Sequence, residues 1–334
     1  MGDINFNNKI KQLTKTHYKN CPSYKKIINK IEFKNKHNNL SDYPFLPVNI
    51  FKKLELFSVK KNKIVKILNS SGTSNNEKSK IYLDKKNATE QKKVLNEIVQ
   101  KLIGRDRLPM IIIAQDPKIN KSINMGAREA GIFGFSIFGK NHFYLINSEK
   151  NIDYENLNIF LEKFSSEKFL IFGFTHSVYE NLFNKILVQK LNYTFKNAIL
   201  FHGGGWKKMI SKKVSNNDFR KSLKNKIGLQ NIYNYYGLVE QTGSIFFECQ
   251  ICHSFYTSKY SDIIIRDKNL NVIKKGRGLI QLLSTLPTSY PGHNILTEDE
   301  GELIYNDCEC KNKGKQFKIH GRIKKSEIRG CSDT

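Results

Sequence analysis

The stretch ILNSSGTSNNEKSKIYLD, from Ile67 to Asp84, decides how the rest of this sequence is interpreted. Its two ends alternate apolar and polar residues as strands do, and small hydroxyl residues surround one glycine between them. Glycine lets backbone amides approach an anion, and hydroxyl groups add further donors. The stretch therefore predicts a phosphate-binding loop, with a polar hairpin turn as the alternative. The loop donors would be Ser70, Ser71, Gly72, Thr73 and Ser74, with Lys78 or Lys80 placed to neutralise a phosphate.

Size and charge narrow the class of protein. The chain has 334 residues, of which 39% are hydrophobic, and this is enough for a sizeable core in one large domain or two. The formal net charge of +26 can indicate nucleic-acid binding. Lysine and asparagine are spread over the whole length, however, and no RNA-recognition or helix-turn-helix signature accompanies them. A basic nucleic-acid-binding protein is therefore kept as the rival from a different functional class.

The start of the chain, MGDINFNNKIKQ, lacks the apolar core of a signal peptide. No apolar run approaches the length of a membrane span. We therefore expect a cytoplasmic protein, in which six cysteines indicate metal binding or catalysis rather than disulfides.

Strand and helix patterns alternate through the middle of the chain, which predicts an α/β fold. LPMIIIAQ and KFLIFGFT are short apolar runs typical of buried parallel strands. Ser177 and Glu180 then form a capping-box pair that predicts the start of a helix. We expect a helical N-terminal segment over residues 1–60, an α/β nucleotide-binding core over 61–245 and a small β-rich subdomain over 246–334.

A second motif, NYYGLVEQTG, places Tyr236, Gly237 and Glu240 in the order Y-G-x-x-E. An aromatic ring beside a glycine can stack on a purine, and a carboxylate three residues later can hold Mg²⁺. A core tyrosine followed by a solvated glutamate is the alternative.

Together the two motifs resemble those of the adenylate-forming (AMP-binding) enzymes. In that superfamily an SSGTTGxPK loop holds the phosphates of ATP, and a YGxTE motif supplies the adenine-stacking tyrosine and the magnesium-binding glutamate. This sequence departs from the loop at Asn75, where the family has glycine. FHGGGWKK, ILTEDEGELI and HGRIKKSEIRG follow in the family's order, although Glu298 replaces a glycine. The resemblance implies adenine contacts from Gly203, Gly204 and Gly205, a ribose contact from Asp299 and a nucleotide contact from Arg322.

The chain stops four residues after Gly330, where most adenylate-forming enzymes continue into a mobile lid domain with a catalytic lysine. This end, together with FLPVNIFK before the loop, resembles the acyl-protein synthetases (LuxE-type). These are the synthetase component of the fatty-acid reductase complex in bioluminescent bacteria. We therefore expect the large N-terminal-type domain of adenylate-forming enzymes, a small β-rich subdomain and no C-terminal lid domain.

The resemblance implies ATP-dependent activation of a carboxylic acid, in this branch a fatty acid, to an acyl-adenylate. The acyl group then moves to a protein cysteine, which by position is Cys331, with Lys78 and Glu240 as the other catalytic residues. Arg329 and two nearby lysines would favour the Cys331 thiolate, and an incidental exposed cysteine is the alternative. An acyl reductase is the implied partner. A ligase that passes the acyl group to coenzyme A, an amine or a sugar, as in surface-polysaccharide synthesis, is the alternative enzyme.

Two close cysteine pairs stand apart from these motifs. Cys249 and Cys252 form CQIC, and Cys308 and Cys310 form CEC. Such pairs suit a tetrahedral structural zinc site, with His253 as an alternative ligand. Free reduced thiols are the alternative interpretation.

Overall fold

The computed structural model describes residues 4–31, 39–70, 78–117, 127–186, 194–205, 215–306, 308–310 and 312–323. The chain divides into two compact units. Unit 1 consists of the described residues within Met1–Ile98 and Gly237–Glu327, and unit 2 of those within Val99–Tyr236. This division differs from the predicted segments, because the N-terminal helices and the loop hairpin group with the β-rich C-terminal part.

Unit 1 begins with two helices, α1 (Ile4–Asn20) and α2 (Pro22–Lys30), separated by Cys21. Pro22 occupies the first turn of α2, where the missing proline N–H has no intrahelical partner to lose. The short helix α3 (Ile50–Lys53) follows strand β1 (Leu46–Pro47).

The two strands predicted on either side of the hydroxyl-rich loop are present in unit 1 and pair as a hairpin. Strand β2 (Ile64–Asn69) pairs antiparallel with β3 (Lys80–Asp84). Helix α4 (Lys85–Ile103) follows and stops before Gly104, whose φ of +90° suits glycine. The boundary between the two units falls within α4.

The rest of unit 1 is a sheet in the order β10–β15–β14–β13–β11–β12. Its neighbouring strands are antiparallel, and β1 adds to β14 in parallel. The strands are β10 (Phe255–Tyr256), β11 (Ser261–Arg266), β12 (Val272–Ile273), β13 (Gly278–Ser284), β14 (Asn294–Ile304) and β15 (Gln316–Arg322), preceded by the short strand β9 (Phe246–Phe247).

Five strands of unit 2 form a parallel sheet in the order β5–β4–β6–β7–β8. All residues of β6 and β7 are buried, as expected for a parallel sheet covered on both faces. The strands are β4 (Leu108–Gln115), β5 (Gly139–Ile146), β6 (Phe169–Phe174), β7 (Ala198–Gly203) and β8 (Asn231–Tyr236).

The helices of unit 2 are α5 (Ala127–Ser136), α6 (Tyr154–Phe164), α7 (Thr175–Ser177, continued by a π-helix over Val178–Ile186) and α8 (Asn216–Ile227). The capping box predicted at Ser177 is wrong, because the helix already begins at Thr175. The Thr175 hydroxyl donates to the Gly203 carbonyl over 3.1 Å and so fixes the turn from strand into helix. No helix in the described ranges is long and apolar enough to cross a membrane.

Candidate active site and cysteine cluster

Glu240 lies in a short 3₁₀ helix of unit 1, Val239–Gln241, and only 5% of its surface is exposed. The hydroxyl of Tyr290 donates to the Glu240 carbonyl over 2.9 Å. The side-chain amide of Gln241 donates to the carbonyls of Leu282 (3.1 Å) and Gly292 (2.9 Å). A Cβ at Gly292 would come within 2.5 Å of the Glu240 carbonyl oxygen, so this position requires glycine. The backbone that carries the carboxylate is therefore held on three sides.

The electrostatics of Glu240 suit a bound cation. Burial raises the pKa of its carboxyl. The Ser79 hydroxyl, the residue's own amide and the charges of Lys52 and Arg322 oppose this shift without cancelling it. Ser79 Oγ is buried and has no hydrogen-bond partner of standard geometry in the described part of the chain. A buried carboxylate beside an unsatisfied hydroxyl oxygen is a donor set that fits Mg²⁺.

Ser70 and Ser79 close the two ends of the hydroxyl-rich loop. The Ser70 amide donates to the Ser79 carbonyl over 3.0 Å, and the Ser79 amide donates to Ser70 Oγ over 2.8 Å. Lys78 is half-buried and Lys80 is exposed. The remaining loop donors, Ser71, Gly72, Thr73 and Ser74, lie outside the described residues, as does Asn75.

Asp299 and Arg322 face each other on neighbouring strands of unit 1. Arg322 Nε is 3.7 Å from Asp299 Oδ1, and Thr297 Oγ1 accepts from the Asp299 amide over 3.1 Å. Because the Arg322 charge also acts on Glu240, the structure brings three of the predicted nucleotide motifs to one part of unit 1.

The glycine turn and the predicted adenine-stacking tyrosine belong to unit 2. Gly204 and Gly205 have φ values of +82° and +69°, in the left-handed region that favours glycine. A Cβ at Gly203 would meet the Tyr235 carbonyl oxygen at 2.6 Å. The ring centroids of Tyr235 and Phe135 are 4.9 Å apart. The half-buried Tyr236 follows Tyr235 on the opposite face of the strand. The Y-G-x-x-E motif is thus divided, because Gly237 begins the second segment of unit 1.

The four cysteines of the two pairs come together in unit 1. Their Sγ atoms all lie within 4.8 Å of one another, and all four thiols are free. Tetrahedral zinc with Zn–S distances of about 2.3 Å places sulfurs about 3.8 Å apart, so the group fits the metal after a small contraction. His253 is outside this group, and its Nδ1 lies 3.6 Å from Glu248 Oε1. The atoms that could hold a metal ion are the sulfurs of Cys249, Cys252, Cys308 and Cys310.

Hydrogen-bonding groups lie around the sulfurs of this cysteine cluster. The Tyr256 hydroxyl lies 3.4 Å from Cys252 Sγ and 3.3 Å from Cys310 Sγ. The side-chain amides of Gln316 and Asn312 donate to Cys252 (3.4 Å) and Cys310 (3.3 Å). Burial raises the pKa of Cys310, but hydrogen bonds, first among them that of Tyr256, outweigh burial and lower it to about 6. The pKa of Cys252 is also lowered, whereas burial raises that of Cys249 and a hydrogen bond with Cys310 raises that of Cys308. Two of the four sulfurs therefore favour the thiolate form that a metal ion binds.

Two residues in the site were not assigned from the sequence. Lys52 lies within the FLPVNIFK stretch, and Ser79 follows Lys78 directly. Both positions adjoin stretches that were already singled out, but only the contacts around Glu240 show their place. Cys331 lies outside the described residues, so its role stays a prediction.

Comparisons with known proteins agree with this architecture. The protein-family model described as "Acyl-protein synthetase, LuxE" matches residues 3–334. No curated protein matches the sequence. The predicted family and the predicted α/β fold of adenylate-forming enzymes are both confirmed.

Solved adenylate-forming enzymes share the fold at low identity. A 2-hydroxyisobutyryl-CoA ligase in complex with 2-HIB-AMP and CoA has a TM-score of 0.73 and 14% identity, over 95% of this chain and 69% of that one. ATP-bound MatB from Rhodopseudomonas palustris has a TM-score of 0.51 and 11% sequence identity, over 79% of this chain and 49% of that one. The amide bond synthetase McbA from Marinactinospora thermotolerans has a TM-score of 0.52 and 10% sequence identity, over 92% of this chain and 61% of that one. The chain thus spans between 49% and 69% of the length of these solved chains.

Proposed function

Because the chain belongs to the acyl-protein synthetase (LuxE) family, we propose that it activates a carboxylic acid with ATP and passes the acyl group to a protein thiol. The acid in this proposal is a fatty acid, and the compartment is the cytoplasm. The observation that carries the proposal is the buried Glu240 carboxylate beside Ser79 and the cations Lys52 and Arg322. A protein rarely buries a carboxylate without an ion pair unless a ligand or metal completes the site.

The first step forms a bond between a carboxylate oxygen of the acid and the α-phosphorus of ATP, and pyrophosphate leaves with the electrons of the broken P–O bond. Glu240 and Ser79 would hold Mg²⁺, which lowers the charge on the phosphates when it is bound. Lys78 and the hydroxyl-rich loop that begins at Ser70 would bind the phosphate oxygens. Asp299 and Arg322 would bind the ribose side of the nucleotide.

The remaining nucleotide contacts in the proposal come from unit 2. The Tyr236 ring would stack on adenine, and the open backbone of the turn Gly203–Gly205 would contact its edge. The left-handed φ values at Gly204 and Gly205 support this role, because glycine has no side chain of its own to keep a ligand from its backbone groups.

In the second step the thiolate of Cys331 attacks the acyl carbon of the adenylate, and AMP leaves as the thioester forms. Three cations close in sequence, Lys324, Lys325 and Arg329, would favour the thiolate. The thioester would then supply an acyl reductase or a similar acyl-accepting partner.

The cysteine cluster has a separate, structural role in this proposal. Zinc bound by its four sulfurs would stabilise the fold of unit 1, because binding energy at such a site is folding energy.

Adenylate formation is tested by ATP–pyrophosphate exchange over a panel of acids from acetate to long-chain fatty acids. We expect exchange that depends on one class of acid and on Mg²⁺. Absence of exchange with every acid, together with DNA or RNA binding that weakens steeply with salt, would favour the nucleic-acid-binding rival.

The acceptor is tested with Cys331→Ser. This variant should still exchange pyrophosphate but should carry no radiolabelled acyl group that neutral hydroxylamine releases. Labelling that survives the substitution would remove Cys331 from the proposal.

The names of the similar structures include a CoA ligase and an amide bond synthetase, so coenzyme A and amines belong in the same assay as alternative acceptors. Product formation with either acceptor at a rate above that of thioester labelling would favour the alternative ligase.

A further inference from the structure

Lys52 is placed at the candidate active site by the residues around it in unit 1. Phe51, the preceding residue of α3, is fully buried, and its ring lies edge-on to Tyr290 with centroids 6.4 Å apart. The Tyr290 hydroxyl donates to the Glu240 carbonyl over 2.9 Å. Packing of Phe51 therefore fixes α3 beside the segment that carries Glu240.

The same helix packs against the hairpin that carries the hydroxyl-rich loop. Phe51 belongs to one hydrophobic cluster with Leu68 of β2 and with Ile81 and Leu83 of β3. Lys52 thus projects from a helix that contacts the loop hairpin and Tyr290, whose hydroxyl binds the Glu240 carbonyl.

The Lys52 ammonium has no hydrogen bond or ion pair within the described part of the chain, although the side chain is half-buried. Its charge acts on Glu240, yet the two groups form no ion pair within 4.0 Å. The Lys52 ammonium is therefore available to a partner other than the Glu240 carboxylate.

We propose that Lys52 binds a phosphate oxygen of magnesium–ATP at the site of Glu240. The inference rests on the proposed function for the identity of the nucleotide. In this arrangement the carboxylate faces the metal and the ammonium faces the phosphate, so charges of opposite sign alternate across the site. Arg322, whose charge also acts on Glu240, is paired with Asp299 and stays with the ribose side of the nucleotide in this proposal.

The chain offers a matched control in Lys53, the next residue of α3, which is exposed. We compare Lys52→Met, Lys52→Arg and Lys53→Met by equilibrium dialysis with radiolabelled ATP and Mg²⁺, and by the KM for ATP in pyrophosphate exchange. Loss of a charged contact predicts binding that is weaker by about 10- to 100-fold in Lys52→Met. Lys52→Arg should retain most of the affinity, and Lys53→Met should bind within about twofold of the wild type.

Each outcome decides the inference. Equal ATP affinity in Lys52→Met and Lys53→Met would overturn it, as would a rise confined to the KM for the acid. A lower melting temperature in Lys52→Met with no recovery of ATP affinity in Lys52→Arg would assign the residue a purely structural role. Wild-type protein that binds ATP but exchanges no pyrophosphate would contradict the proposed function while the Lys52 inference stands. Wild-type protein that binds no ATP would overturn both.

Discussion

Acid should destabilise this protein through buried neutral histidines, and His17 gives the sharpest test. Its ring is fully buried in unit 1. Nε2 lies 3.0 Å from the Pro287 carbonyl, which can only accept, so Nε2 carries the proton. Nδ1 then accepts from the Ser58 hydroxyl over 2.7 Å. Burial lowers the pKa of His17 from 6.5 to about 4, against a smaller opposing effect of the Pro287 carbonyl.

A second histidine, His293, is stacked at a tilt 4.9 Å from His17. Burial and the nearby His17 hold the pKa of His293 well below its ordinary value. The other titratable neighbours, Cys21 and Tyr24, are buried, and burial raises the pKa of both, which keeps them neutral. No carboxylate contacts either ring within the described residues, so a proton on the pair would be uncompensated.

The sign and size of the effect follow from proton linkage. The unfolded chain binds a proton at His17 below about pH 6.5 while the folded chain does not, so the free energy of unfolding decreases as the pH is lowered through this range. Between pH 7.5 and 5.5 the His17 contribution is a loss of about 1.4 kcal/mol. In this window ordinary carboxylates stay ionised and contribute little.

The assay is urea unfolding followed by circular dichroism at pH 7.5 and 5.5. His17→Gln keeps a polar amide in the site but cannot titrate, so its loss of stability between the two pH values should be smaller than the wild-type loss by about 1.4 kcal/mol. His142→Gln, at an exposed position, is the control and should behave as wild type. An unchanged pH dependence in His17→Gln would refute the reasoning.

Three further predictions concern the two sites and the glycine turn. Glu240→Gln keeps the shape of the side chain but removes its charge, and should lower pyrophosphate exchange by about 100-fold with the circular dichroism spectrum unchanged; exchange near the wild-type rate would exclude Glu240 as the metal ligand. Cys252→Ser should reduce zinc, measured by mass spectrometry of the purified protein, from about one equivalent to none, whereas Cys21→Ser should retain it. Gly203→Ala should cost about 1–3 kcal/mol in urea unfolding, since its Cβ would lie 2.6 Å from the Tyr235 carbonyl oxygen.

Local sequence patterns predicted the local structure of this chain well. The alternation on either side of the hydroxyl-rich loop predicted the two strands that form the hairpin, and the apolar runs before Gln115 and Phe174 predicted buried parallel strands. These elements follow from periodicity over a few residues, which the sequence displays directly. The spacing of the cysteines likewise grouped four residues that do lie together, although zinc itself is a proposal.

What the sequence could not show depends on contacts between distant residues. The boundaries of the compact units depend on pairing such as Leu46 with Ile295, and no local pattern records which strand accepts which partner. The unassigned role of Lys52 has the same origin, because its place beside Glu240 depends on Phe51 packing against Tyr290. The failed capping box at Ser177 shows the converse, since a tertiary hydrogen bond from Thr175 sets where that helix begins.

The division of unit 1 into two chain segments has a consequence during synthesis. The ribosome releases the segment that ends at Ile98 long before the segment that begins at Gly237. At about 5–20 residues per second, the roughly 140 intervening residues impose a delay of about 7–30 seconds. During that time Leu46, Phe51 and Tyr24, which are buried in the finished fold, lack their partners Ile295 and Tyr290. The nascent chain therefore exposes an apolar surface for many seconds, and its yield in cells should depend on chaperones that bind such surfaces.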